Sequence, residues 1–123
     1  MADTKVIFVA FAIEDEKQRN LLKGQALHTQ SPFDYVDMSV KEAYETEWKT
    51  KVRTRIKRSD GLIALISESS LTSSGQKWEI ACAKEEGIPI LAIWAYSDDR
   101  TTVEGVSAKK WEWDTIADFI DGL

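Results

Sequence analysis

Hydrophobic positions along this chain fall into two kinds of run, and the two kinds alternate. Val6–Ala12, Leu62–Ile66 and Ile88–Trp94 are nearly unbroken apolar stretches rich in β-branched residues, the pattern of strands covered on both faces of a sheet. Pro89 lacks a ladder donor and fits only at the beginning of the last of these. Phe33–Met38 alternates apolar with polar residues, which predicts a half-buried strand nearer a sheet edge. Between the strands the period lengthens. Glu16–Thr29 carries Leu21, Leu22, Ala26 and Leu27 at helical spacing and stops at Ser31-Pro32. Gln76–Glu86 follows a capping serine and ends at Gly87, and a last helix over Asp114–Ile120 turns Ile116, Phe119 and Ile120 inward.

Glu45–Arg58 supports two readings, because Lys49 to Ile56 also alternates every second residue. Trp48, Val52 and Ile56 stack at i, i+4 among good helix formers, so we assign a helix, closed by Ser59-Asp60-Gly61. A weak fifth strand falls between Val103 and Trp111, and Ser67–Gly75 reads as a hydroxyl-rich loop. Strand and helix alternating over 123 residues predict one α/β domain, residues 1–123. Its expected form is a flavodoxin-like three-layer sandwich, with about five parallel strands in the order 2-1-3-4-5.

Charge narrows the partners. Sixteen Lys and Arg against 21 Asp and Glu leave a net charge of −5, a field that repels nucleic acid and anionic membranes, so neither is expected as a partner. Six basic residues, Lys49, Lys51, Arg53, Arg55, Lys57 and Arg58, nevertheless share one helix. They read as a solvated face or as a docking surface for an acidic partner or a second copy. One cysteine, Cys82, and one histidine, His28, exclude an internal disulfide and the usual Cys/His zinc site. Cys82 reads as a small apolar helix residue, and His28 as a helix position far from any candidate nucleophile. No leader pattern and no apolar run of about 18 residues occurs, so a cytoplasmic location is expected.

In a sheet of this order the binding crevice lies outside the carboxyl ends of the strands, between the first and third. That rule selects Ala12–Asp15 and Ser67–Gly75, the latter with the first turns of the helix carrying Trp78 and Glu79. A receiver-type phosphoacceptor needs an aspartate where Ser67 stands, and a flavodoxin needs a phosphate cradle where Ile13–Glu16 stand. Neither chemistry fits. No glycine-rich nucleotide motif and no G-x-S-x-G elbow is present. Glu79 can face the crevice, or be a surface glutamate favoured by the helix dipole; the residues alone leave both readings open.

Phe8-Val9-Ala10-Phe11 followed by Asp15, and Ile56-x-x-Ser59-Asp60-Gly61 leading into Leu62–Ser67, form one part of a recognisable series. Trp78-Glu79-Ile80-x-x-Ala83 and Gly87-Ile88-Pro89-Ile90 complete it. In order and spacing it resembles TIR-like domains, in particular the family that includes the ThsB proteins of bacterial Thoeris anti-phage defence. The resemblance implies a flavodoxin-like TIR fold that cleaves the nicotinamide–ribose bond of NAD. It implies an ADP-ribose product, cyclic in the ThsB branch, that signals to a separate effector protein. NAD would then be the substrate, with no resident cofactor or metal, and the chain could work as a homo-oligomer. Glu79 matches the required glutamate, and Phe11, Asp15, Ser67 and Trp78 are expected to shape the substrate pocket. One carboxylate suffices, because nicotinamide leaves as a neutral molecule and needs no general acid. Ser39–Glu47 matches the loop that in such domains closes over the nucleotide. The alternative is a catalytically silent TIR module that self-associates or recruits a partner through faces such as Lys49–Arg58.

Overall fold

Burial on both faces sets the middle of the sheet. The computed structural model describes residues 5–27, 35–37 and 48–123, and in it β3 (Gly61–Ile66) is buried at every position. β1 (Lys5–Phe11) and β4 (Ile90–Trp94) flank it in parallel, and the short strands β2 (Tyr35–Asp37) and β5 (Ala108–Lys109) form the edges. The order is β2-β1-β3-β4-β5, as the alternation of periods predicts. The helices are α1 (Glu16–Leu27), α2 (Trp48–Lys57), α3 (Ser74–Glu85) and α4 (Trp113–Asp121). Ile7, Val9, Ile63, Leu65, Leu91 and Ile93 pack with Leu22 of α1 and with Ile116 and Ile120 of α4. The alternate residues Phe8, Ala10, Leu62, Ala64, Ile66 and Ala92 pack with α2 and α3. Two cores separated by one sheet are the three-layer arrangement.

Register explains how closely α3 sits. Ala10 pairs with Ala64, and Ala64 with Ala92, so one row of the sheet on the α3 side carries only methyl groups. Ile80 and Ala83 of α3 share the core containing that row. Small side chains on both surfaces let helix and sheet approach at interior packing density.

Boundaries moved where capping chemistry acts. The loop expected over Ser67–Gly75 contains a 3-10 turn, Glu68–Leu71. α3 begins at Ser74, ahead of the expected Gln76, because the Ser73 side chain accepts the Gln76 N–H as its cap. At its other end Gly87 takes φ +71°, and Ile88 N–H reaches Ala83 O at 2.9 Å while Gly87 N–H reaches Lys84 O at 3.2 Å. This is a Schellman termination that requires a residue free to adopt the left-handed conformation. β4 starts after Pro89, whose carbonyl accepts Leu62 N–H at 2.9 Å. The fifth strand shrinks to Ala108–Lys109 beside β4. His28, Ser31-Pro32, and the outer residues of the expected second strand and second helix lie outside the described residues.

α2 settles the ambiguous segment. A strand would place Thr54 on the same face as Val52 and Ile56; the helix buries those two completely and leaves Thr54 exposed. Ile56→Ala should therefore lower the unfolding free energy by about 2–5 kcal/mol. Thr54→Ala should stay within about 0.5 kcal/mol, both read from urea denaturation.

Candidate functional site

Loops leaving β1, β3 and β4 meet at the carboxyl rim, where one buried carboxylate ties them together. After β1 a single 3-10 turn, Ile13–Asp15, closed by Asp15 N–H to Ala12 O at 2.8 Å, folds Asp15 back into the protein. Asp15 Oδ2 accepts the Ser67 hydroxyl and Asp15 Oδ1 accepts the Tyr96 hydroxyl at 2.9 Å. Ser67 Oγ also accepts Ser69 N–H at 3.1 Å, and Ser70 Oγ accepts Ser67 N–H at 3.0 Å. This reciprocal cap holds the turn that leads into α3. Burial, and then the neighbouring Asp15 carboxylate, push the Tyr96 hydroxyl above its ordinary pKa. The expected pocket residues Asp15 and Ser67 are thus brought together, but with their side chains buried and engaged with each other.

Phe11 stands on the same side of the sheet, half-buried against the α1–α4 core. The guanidinium of buried Arg19 lies 5.1 Å from its ring centroid and 3.8 Å from the Glu16 carboxylate. Trp78 lies on the other side, packed against the α2–α3 core. Its ring carries the Arg53 guanidinium at 5.5 Å and the Lys49 ammonium at 5.9 Å. Arg53 continues to Glu85 of α3 and to Glu86 at its C-cap, each at 3.0 Å. Part of the basic helix therefore pins α2 to α3, while Lys49, Lys51, Lys57 and Arg58 stay exposed.

Between these groups α3 carries two polar side chains into the interior. Gln76 is completely buried and its amide donates to Ala10 O at 3.0 Å and to Leu65 O at 2.7 Å. It joins the last turns of β1 and β3 at the point where the winding reverses. One helical turn further on, Glu79 is 4% exposed, and among the described residues no hydrogen bond reaches its carboxylate. Burial alone pushes its pKa up to about 8, so the group is largely protonated at neutral pH. A neutral acid held without donors ionises readily when a positive charge arrives beside it.

Cys82 is buried on the same helix, and burial raises its thiol pKa, consistent with packing and not with nucleophilic chemistry. Among the described residues no group of three or more His, Cys, Asp or Glu is placed to hold a metal ion. No helix among them is long and apolar enough to cross a membrane. Glu79 borders neither of two cavities of about 480 Å³ that open on the described surface. Ser39–Glu47, matched above to a closing loop, is outside the described residues.

Sequence reasoning passed over Gln76, Tyr96 and Arg19. Two had a signal in spacing: Gln76 lies four residues before Ile80 and Arg19 three before Leu22, so each falls on or next to a helix face turned toward the core. Tyr96, two after Trp94, packs on the opposite side of the sheet from it, and spacing gave no signal.

A family model described as the TIR-like domain of the Thoeris protein ThsB matches residues 8–100, well over half of the chain. No curated protein matches it.

The buried acid has a consequence for stability. Below about pH 4.5 Glu79 is protonated whether the chain is folded or not; between there and about pH 8 only the folded protein holds the proton. Wild type therefore loses stability as pH rises through that window, and Glu79→Gln does not share this loss. The stability advantage of Glu79→Gln over wild type should grow by roughly 4 kcal/mol from pH 4.5 to pH 8 in denaturant titrations.

Proposed function

We propose that this chain, which belongs to the TIR-like domain family of the Thoeris protein ThsB, cleaves the nicotinamide–ribose bond of NAD. The ADP-ribose product, linear or cyclic, would serve as a signal in bacterial anti-phage immunity, read by a separate effector protein in the cytoplasm. The observation that carries this reading is Glu79, a carboxyl group 4% exposed and raised to about 8 by burial, one helical turn beyond the Gln76 that bonds β1 and β3.

In free protein the acid is neutral. The nicotinamide ring of NAD is cationic, and its approach favours the carboxylate form. As the glycosidic bond breaks, its electron pair returns to the ring nitrogen, nicotinamide departs neutral, and positive charge moves to the ribose. A carboxylate desolvated in advance stabilises that charge more strongly than one in water. The departing group needs no proton, so a second carboxylate is dispensable, unlike in ordinary glycosidases. Water as acceptor gives linear ADP-ribose; a hydroxyl or adenine nitrogen of the same molecule gives a ring, and exclusion of water favours the ring. Phe11 and Trp78 supply aromatic surface on either side of the rim. Asp15 and Ser67 shape the pocket from beneath by holding its loops.

One observation favours a second reading, a catalytically silent module that associates with copies of itself or recruits a partner: Glu79 lines neither described cavity. Incubation with NAD over a range of protein concentrations separates the two. Wild type should release nicotinamide, and Glu79→Gln should release it at least ~100-fold more slowly, the scale of removing one transition-state electrostatic contact. Undiminished release by the variant overturns the assignment of Glu79. A further outcome follows from the working form of the acid. kcat/KM for NAD should climb with pH and reach half its plateau near pH 8, the ionisation of Glu79 in free protein.

A further inference from the structure

Beyond the carboxyl end of β4 the chain builds a concavity of about 480 Å³, in the size range of small-molecule sites. Trp94, Tyr96 and Trp111 give it aromatic surface, and Arg100 and Lys110 stand on its edge. Tyr96 and Trp111 pack with the α1–α4 core, and Trp94 with the core of the opposite side, against which Trp78 also packs, so the concavity spans the end of the sheet; Glu79 is not among its lining residues. Among the described residues neither Arg100 nor Lys110 forms an ion pair. Both are exposed, in a chain with a net charge of −5.

The loop carrying Arg100 is fixed before any ligand arrives. Asp99 accepts Glu68 N–H at 2.8 Å, Thr101 N–H at 3.1 Å and the Thr101 hydroxyl at 2.5 Å. These bonds, led by that of the Thr101 hydroxyl, hold the Asp99 carboxyl below its ordinary pKa. Trp94 Nε1 donates to Thr101 O at 2.9 Å. Arg100, between these anchors, lies with its guanidinium 4.6 Å from the Trp94 ring centroid, so its stem and plane are oriented while its donors remain available. Deeper in, Gln18 donates its amide hydrogens to Ala95 O and Tyr96 its hydroxyl to Asp15, which leaves the Gln18 carbonyl oxygen as an acceptor. Glu112 adds a carboxylate to the lining.

Aromatic walls suit a planar ring, two cations without carboxylate partners suit a phosphate, and a carboxylate beside an amide oxygen suits the hydroxyls of a sugar. We propose that this concavity binds a nucleoside monophosphate, as a site separate from Glu79. The assignment goes beyond the cleavage of NAD and does not rest on it.

Calorimetric titration of the full chain with AMP tests it, with adenosine and inorganic phosphate as the two half-ligands. AMP should bind wild type and Glu79→Gln alike, and at least about tenfold more tightly than either half-ligand. Arg100→Glu and Lys110→Glu should each weaken it by about tenfold or more. Both positions are exposed, so unchanged melting temperatures are expected and verify that the variants fold. AMP affinity that survives both charge reversals overturns the proposal, as does phosphate binding as tight as AMP or no saturation at millimolar AMP. Loss of AMP binding in Glu79→Gln also overturns it, by moving the ligand to the other site.

Discussion

Gln76 uses both hydrogens of its amide on the penultimate carbonyls of two neighbouring strands, Ala10 and Leu65, and the arrangement of the rim depends on that bridge. β1 and β3 stay paired through Phe11 and Leu65, and the connections that leave them turn to opposite faces of the sheet. A buried side chain that supplies one donor to each strand fixes α3 against the sheet at that point. The row Ala10–Ala64–Ala92 makes this possible, because only methyl-sized residues allow the helix close enough for a glutamine to reach. Glu79, three residues along the same helix, inherits its position from that contact.

Two buried carboxyl groups at one rim are treated in opposite ways. Asp15 receives two hydroxyl donors, and it joins the loops after β1, β3 and β4 into one unit. Glu79 receives no donor among the described residues and is raised to about 8 by burial. Withholding donors from a buried acid works against stability, and such arrangements recur where a charge must be met during a reaction. The contrast separates a structural carboxylate from a candidate catalytic one more clearly than sequence position does.

Charge is also partitioned unevenly. Arg53 is drawn into Trp78, Glu85 and Glu86 and joins α2 to α3, so a run that reads as one basic face divides into a fastened residue and exposed ones. At the far end of β4, by contrast, Arg100 is oriented by Trp94 and a pinned loop without a carboxylate to neutralise it. Linear spacing could not distinguish these two arginines, because the ring and carboxylates that fasten Arg53 come from a distant part of the chain.

Periodicity alone determined the order of elements and the parallel sheet, because burial on one face or two leaves a direct imprint on the spacing of apolar side chains; it did not separate Leu22, which is buried, from Leu21, which is exposed. Val52 and Ile56 carried enough of that imprint to identify a helix where alternation also suggested a strand, and Gly87 marked its helix end by the backbone freedom that end requires. Glu79 was singled out only through the family resemblance that the short motifs around it carry. Tertiary structure alone decided that Asp15 and Ser67 close on each other, that Gln76 bridges two strands and that Glu79 is left without donors. These are contacts between residues as far as 66 positions apart, and hydrogen bonding at such separations depends on how the layers settle, which no local pattern encodes.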